Sequence, residues 1–228
     1  MKKQAEIGII FDLDGTLIDT IADIAAAIQP ILREKDYPAH RVVSYKRFVG
    51  SGLRNTLINA LPADHGLSTE EIDQMYTRML INYRAHPYDA AYPYDGIPRL
   101  LHYLDDAAIP KAILSNKVHD ITHTIVDHLL GDFSFVSVQG LSDEFPRKPD
   151  PSSALSIAQK MGLSPSRIVL IGDSEVDFKT ARAAGMYPIV VSWGFSPSEE
   201  LCKNIPEECI VDDQRQLLEL ISTLSAKA

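Results

Sequence analysis

The chain has 228 residues, 45% hydrophobic and 23% charged, an ordinary globular composition that suits one large domain or a domain carrying an insert. Its formal net charge of -9 makes it a poor candidate for nucleic acid or an anionic membrane surface. No apolar run approaches the roughly 20 residues of a membrane helix, and Ile7 to Phe11 is too short for a signal-peptide core, so a cytoplasmic location is expected. Cys202 and Cys209 have neither CxxC spacing nor a neighbouring His, and both are expected to be reduced.

Short apolar, β-branched runs stand at Ile7–Phe11, Ala112–Leu114, Phe135–Val138, Ile168–Ile171 and Ile189–Val191, with a last one at Ile210–Val211. They do not alternate with polar residues, as befits strands buried on both faces of a parallel sheet. Helical patterns separate most of them: Ile97–Leu104, Ile121–Leu130, Ala154–Met161 and Val176–Ala184, with a final helix over Leu217–Leu224. Strand alternating with helix predicts a doubly wound, Rossmann-like α/β fold.

One segment interrupts the alternation. From Leu17 to Ala91 the pattern is helical: Ile24, Ile28 and Leu32 fall at i, i+4 and i+8, and Leu57, Leu61, Ile72, Met79 and Tyr83 continue it. Asp19 or Thr20 is placed to cap the first of these helices, and Pro30 is expected to kink it or end it early. The expected organisation is an α/β core of residues 1–16 and 92–228 with an all-helical insert at 17–91. "PYDAAYPYDG", from Pro87 to Gly96, reads as the return linker. The insert has 8 basic and 9 acidic residues, so the acidity of the chain is concentrated in the core.

Four stretches carry chemistry. In "FDLDGT", Asp12 and Asp14 are two residues apart, so they share a face just past the carboxyl end of the first strand, where open α/β sheets bind ligands. Gly15 lets the backbone turn there. A calcium loop counted from Asp12 would want Gly at its sixth place and Glu at its twelfth, where the chain has Leu17 and Asp23. "AILSNK" puts Ser115 and Asn116 after another strand, where they serve equally well as a helix cap. "PRKPDP" holds Lys148 between prolines, alone no more than a surface lysine. In "GDSEVD", Asp173 follows a strand, while Ser174 and Asp177 fit a capping box with Asp in place of Glu. Together they bring carboxylates, a hydroxyl with an amide, and a lysine to one edge of one sheet.

The order and wording of these stretches, from "FDLDGT" through "LSNK", "KPDP" and "GDSEVD" to "WGF", resemble the haloacid dehalogenase superfamily, with the helical insert where that family places its first type of cap. "FVGSGLRNTL", "YPYDGI" and "VSWGFSPSEEL" look most like its phosphoglycolate phosphatase group. The resemblance implies a Mg²⁺-dependent phosphatase of a small phosphorylated metabolite, with 2-phosphoglycolate the candidate, working through an aspartyl-phosphate. Asp12 would be the nucleophile and Asp14 the general acid and base. Mg²⁺ would sit on Asp12, Asp173 and the Asp14 backbone carbonyl, supported by Asp177. Lys148 would hold Asp12 and the phosphoryl oxygens, Ser115 and the Asn116 N–H would bind the phosphoryl group, and Thr16 would steady its loop. The insert would act as a lid with hinges near Leu17–Asp19 and Ala91–Asp95.

Within the lid, Gly50, Ser51, Gly52 and Arg54 form a glycine-broken stretch, and Arg54 is either a ligand for a substrate carboxylate or a surface arginine. Tyr76 and Tyr83 read as packing. Lys35 and Lys46 have no evident placement for a Schiff base. A β-phosphoglucomutase-type mutase would use the same parts, and a phospho-accepting signalling module would share the aspartate and the metal without needing a lid. The expected assembly is a monomer or weak homodimer.

Overall fold

The computed structural model describes residues 7–50, 52–144 and 146–227. Strand β1 (Gly8–Phe11) is buried along its whole length because both faces of the sheet are covered. The chain then folds back on itself: the Leu13 carbonyl accepts from the N–H groups of Leu17 and Ile18, and Leu13, Leu17 and Ile18 are fully buried. The short strand β2 (Ile18–Asp19) leads into helix α1 (Ile21–Arg33), a 3₁₀ segment (Val42–Arg47), α2 (Leu53–Ala60) and α3 (Thr69–Ala85). Strand β3 (Tyr92–Pro93) pairs antiparallel with β2, so both predicted hinge regions belong to one two-stranded ribbon.

The remainder alternates as expected: α4 (Ile97–Asp106), β4 (Lys111–Val118), α5 (His119–Leu129), β5 (Val138–Leu141), α6 (Ser152–Met161), β6 (Ile168–Gly172), α7 (Glu175–Ala184), β7 (Tyr187–Val191), α8 (Ser198–Asn204), β8 (Ile210–Val211) and α9 (Gln214–Lys227). Six strands form one parallel sheet in the order β5-β4-β1-β6-β7-β8. The chain builds outward from β1 in one direction and then returns to build in the other. The carboxyl ends around β1 are therefore a topological switch point, where such sheets take ligands. Alternate strand residues feed different layers. Ile9, Phe11, Ile113 and Ile171 pack with Leu101 of α4, Ile125 of α5 and Ile221 of α9. Ile10, Ala112, Leu114 and Leu170 pack with Ala154 and Ile157 of α6 and Ala181 of α7.

The insert is helical as its periodicity predicts. Ile24, Ile28, Leu32, Leu57, Ile72, Met79 and Tyr83 are all buried, in a cluster continuous with the layer around Ile9 and Phe11. Ser68 and Glu71 form a reciprocal capping box that starts α3.

Three local expectations are corrected. Pro30 does not end α1 early: the helix runs to Arg33, because the buried face of Ile24, Ala27, Ile28 and Ile31 holds it beyond the one lost hydrogen bond. Strand β5 lies at Val138–Leu141 rather than Phe135–Val138. Its paired residues are Val138, Gln139 and Leu141, while Val136 is exposed and Phe133 and Phe135 are packing residues beside the core. Strand β4 extends past Leu114, so Ser115 and Asn116 lie inside it, at a register shift against β5 between Leu114 and Val118. No helix among the described residues is long and apolar enough to cross a membrane.

Candidate active site

The carboxyl ends of β1, β4 and β6, the loop after β5 and the loop after β7 converge on one pocket. Asp12, Asp14, Ser115, Asn116, Lys148, Asp173 and Asp177 all line it, so the structure brings together most of the residues singled out from sequence. Asp12 stands immediately past β1, its N–H bonded to the Ile171 carbonyl of β6 (2.8 Å). Asp173 follows β6 in the same way. Its Oδ2 accepts from the N–H of Phe195 (2.6 Å).

Glycines make that placement possible. A Cβ on Gly15 would come within 2.3 Å of the Asp173 carboxylate, and one on Gly194 would stand 2.3 Å from both Oδ2 and Cβ of Asp173. Gly15 also has φ +83°, which favours glycine.

Asp12, Asp173 and Asp177 are buried and each offers a carboxylate oxygen within 4.8 Å of the others. Lys148 is the cation among them: Nζ is 2.6 Å from Asp177 Oδ1 and 2.9 Å from Asp12 Oδ1. Burial is the largest influence on Asp12 and, with the neighbouring carboxylates of Asp177 and Asp14, outweighs Lys148 to push its carboxyl up to about 7. Burial and the charges of Asp12 and Asp177 likewise hold Asp173 well above the ordinary carboxylate range. Lys148 is shifted upward: burial opposes its charge, but the attraction of Asp12 and Asp177 wins. Three hard oxygen donors with more negative charge than one ammonium can balance suit a divalent cation, which would restore the ionised state of Asp12.

The supporting contacts differ from expectation in several places. Asn116 turns its side chain away from the role of its N–H. Its Oδ1 accepts from the Lys148 N–H (2.8 Å) and its Nδ2 donates to the Lys148 carbonyl (3.1 Å), so the amide splints the loop that carries the lysine. Ser115 is buried at the pocket wall, and its Oγ accepts from the Lys117 N–H (3.2 Å). Ser174 caps α7 as expected, its Oγ accepting from the Asp177 N–H (3.4 Å), but the Asp177 carboxylate takes Lys148 and the hydroxyl of Ser174 (2.5 Å), joining the acidic cluster directly. Thr20 is the N-cap of α1 without a side-chain cap bond: its Oγ1 donates to Asp14 Oδ1 (2.6 Å), while Asp19 Oδ1 accepts from the Ile21 N–H.

Thr16 and Arg54 do not line the pocket. Thr16, expected to steady its loop, is buried, and its carbonyl accepts from Trp193 Nε1 (3.2 Å). Arg54 is spent on Asp73, with Nη2–Oδ1 2.7 Å and Nε–Oδ1 2.8 Å, because the first turn of α2 faces α3 there. Of its glycine-broken stretch, Gly50 and Gly52 do line the pocket, beside Val49, Leu53 and Thr56, and Ser51 lies outside the described residues.

Sequence reasoning missed Lys117, and Tyr83, read as packing, does pack in the core but also reaches Lys117. The Lys117 side chain has no exposed surface, and its Nζ lies 2.8 and 2.9 Å from the two oxygens of Asp14 and 2.7 Å from the Tyr83 hydroxyl. It also missed Lys46, whose Nζ donates to the Gly194 carbonyl (3.4 Å) above the Phe195 ring. Lysine at the end of "LSNK" was the one signal for the first. Nothing local marked the others.

The family model for haloacid dehalogenase-like hydrolases matches residues 9–191. The chain belongs to that family. It is 28% identical over 216 residues to a phosphoglycolate phosphatase of Pseudomonas savastanoi pv. phaseolicola, covering 92% of this chain and 78% of that one. It is 29% identical over 222 residues to the N-acetylmuramic acid 6-phosphate phosphatase of Pseudomonas aeruginosa, covering 97% of each. A crystal structure from Lactobacillus delbrueckii subsp. bulgaricus superposes with a TM-score of 0.86 at 27% identity, covering 96% of this chain and 99% of that one. The chain is a hydrolase of the phosphatase kind represented by these relatives.

Proposed function

We propose that the chain is a Mg²⁺-dependent phosphatase that hydrolyses a small phosphomonoester through an aspartyl-phosphate on Asp12. The observation that carries the proposal is the placement of two carboxylates with different partners in one pocket. Asp12 belongs to the acidic cluster with Asp173, Asp177 and Lys148, whereas Asp14 belongs to Lys117 and Thr20. That division suits two roles that one carboxyl cannot fill, since the nucleophile must be ionised while the acid carries a proton.

Asp12, Asp173 and Asp177 would hold the metal, with the Asp14 backbone carbonyl. When bound, Mg²⁺ supplies positive charge against the approach of a carboxylate to a phosphate dianion. Two unit charges at 4 Å repel by about 1 kcal/mol in water and about 4 kcal/mol at an effective dielectric near 20. Lys148 orients the Asp12 carboxylate through Oδ1. An Asp12 oxygen attacks phosphorus, the P–O ester bond breaks, and the ester oxygen takes the Asp14 proton and leaves as an alcohol. Asp14, now a carboxylate, takes a proton from water as that water attacks phosphorus. The bond to Asp12 then breaks and inorganic phosphate is released. Ser115 and the Asn116 N–H are placed to bind the phosphoryl oxygens.

Residues 17–91 would form the lid over a core of 1–16 and 92–228, hinged at the β2–β3 ribbon. The lid's share of the pocket wall, with Val49, Gly50, Gly52 and Leu53, gives the substrate beyond its phosphate little charge to recognise. Candidate substrates are 2-phosphoglycolate and N-acetylmuramic acid 6-phosphate, the named substrates of the two phosphatase relatives. The test is phosphate release from both, with sugar phosphates, nucleotides and pyrophosphate, in Mg²⁺ and in chelator. Metal-dependent release that vanishes in Asp12→Asn supports the reading. Isomerised sugar phosphate without free phosphate would replace it with a mutase, and release unaffected by Asp12→Asn would refute it.

A further inference from the structure

Lys117 is buried on β4, yet it touches the pocket that holds Asp12 and Asp14. A buried ammonium is costly unless it is paired and hydrogen-bonded. Here the pairing is complete: two contacts go to Asp14, at 2.8 and 2.9 Å, and one goes to the hydroxyl of Tyr83, at 2.7 Å. The ammonium also lies 4.6 Å from the centroid of the Tyr83 ring. Tyr83 is fully buried near the end of α3, and burial, together with the charges of Asp14 and Asp23, keeps its phenol protonated well beyond the ordinary range. The three residues come from three parts of the chain, the loop after β1, the insert and β4, separated by 103 and 34 residues. With Thr20 bonded to Oδ1, the Asp14 carboxyl is fixed from two directions.

We infer that Lys117 and Tyr83 are positioning residues that aim the Asp14 carboxyl at the ester oxygen, so that the insert sets the geometry of proton transfer in the core. This rests on the role proposed above for Asp14 as general acid and base. A misaimed acid costs most when the leaving group needs its proton, and least when the leaving group departs as a stable anion. A role confined to folding would slow all substrates alike.

The experiment compares phenyl phosphate with p-nitrophenyl phosphate as substrates of the full chain in Mg²⁺, for wild type, Lys117→Met, Tyr83→Phe, Asp14→Asn and the double variant Asp14→Asn/Lys117→Met. Thermal unfolding checks that each is folded. The kcat/KM value reports only the steps up to leaving-group departure. Lys117→Met is expected to lower kcat/KM for phenyl phosphate about 100-fold and for p-nitrophenyl phosphate within about threefold. Its kcat for the nitrophenyl ester should still fall, because water attack needs the same carboxylate. Tyr83→Phe, which keeps the ring, should shift in the same direction by about tenfold or less. Adding Lys117→Met to Asp14→Asn should cost nothing further.

Equal losses on both esters in folded Lys117→Met and in Tyr83→Phe would overturn the inference. So would a full Lys117→Met effect in the Asp14→Asn background. If Asp14→Asn itself shows no leaving-group dependence, or wild type hydrolyses neither ester, the reading of Asp14 or of the whole site fails first, and the inference falls with it.

Discussion

The two walls of the pocket are built on opposite principles. The core wall carries Asp12, Asp14, Lys148, Asp173 and Asp177, each held by a named partner, at the end of a buried strand, on the loop after β5 or at the start of α7. The insert wall offers Ile24, Val49, Gly50, Gly52, Leu53 and Thr56, and the Thr56 hydroxyl is itself spent on the Gly52 carbonyl (3.2 Å). Chemistry is rigid and polar on one side, and enclosure is small and apolar on the other. On the proposed function, substrate preference would rest on shape and on how the insert closes, while the reaction would rest on the core.

The sharpest way to test that contrast is to remove charge from the core wall. Asp12→Asn should abolish turnover, by about a thousandfold or more, while leaving the fold intact. It should also raise the thermal stability of the metal-free protein, since it relieves repulsion in a buried cluster; a melt in chelator beside the activity assay checks both. A step smaller is Gly194→Ala. The added methyl would collide with Asp173, and the Mg²⁺ concentration for half-maximal activity should rise about 10- to 100-fold, read from a metal titration.

The acidic cluster also predicts a pH dependence of stability. The folded-state value of Asp12 is raised to about 7 from 3.8, so the folded chain binds more protons than the unfolded one between those values. Metal-free protein should therefore lose stability as pH rises from about 4 to about 7, and Mg²⁺ should restore it most at the upper end. Denaturant melts across that window, with Mg²⁺ and with chelator, test the sign. The smallest effect belongs to the insert wall: Arg54→Ala removes a half-exposed ion pair with Asp73 and should change KM by about twofold or less and stability by about 1 kcal/mol or less. A large rise in KM would return Arg54 to the site and break the contrast.

The same division governs what was legible in the sequence. Asp12, Asp14 and Asp173 announced themselves because buried parallel strands are unalternated apolar runs, and a carboxylate where such a run ends has to face the sheet edge. The helical insert was legible from spacing alone, since Ile24, Ile28 and Leu32 lie on one face. What escaped depended on contacts between distant parts of the chain. Lys117 shows its role only once Asp14 and Tyr83 are brought to it, and Gly194 only once its lack of a Cβ makes room for Asp173. Arg54 had the right charge and a suggestive neighbourhood, but the side chain that claimed it, Asp73, is on the next helix. Strand β5 was displaced because Gln139 and Gly140 carry no β-forming signal, while the aromatic run before them does.

The central claim, that Asp12 becomes covalently phosphorylated, is tested most directly by quenching the enzyme in acid during turnover, reducing it with borohydride, and mapping residue 12 by mass spectrometry. The account predicts conversion of Asp12 to homoserine only when both substrate and Mg²⁺ were present, with none at Asp14. Full turnover without modification at Asp12, or modification at a different residue, would contradict it.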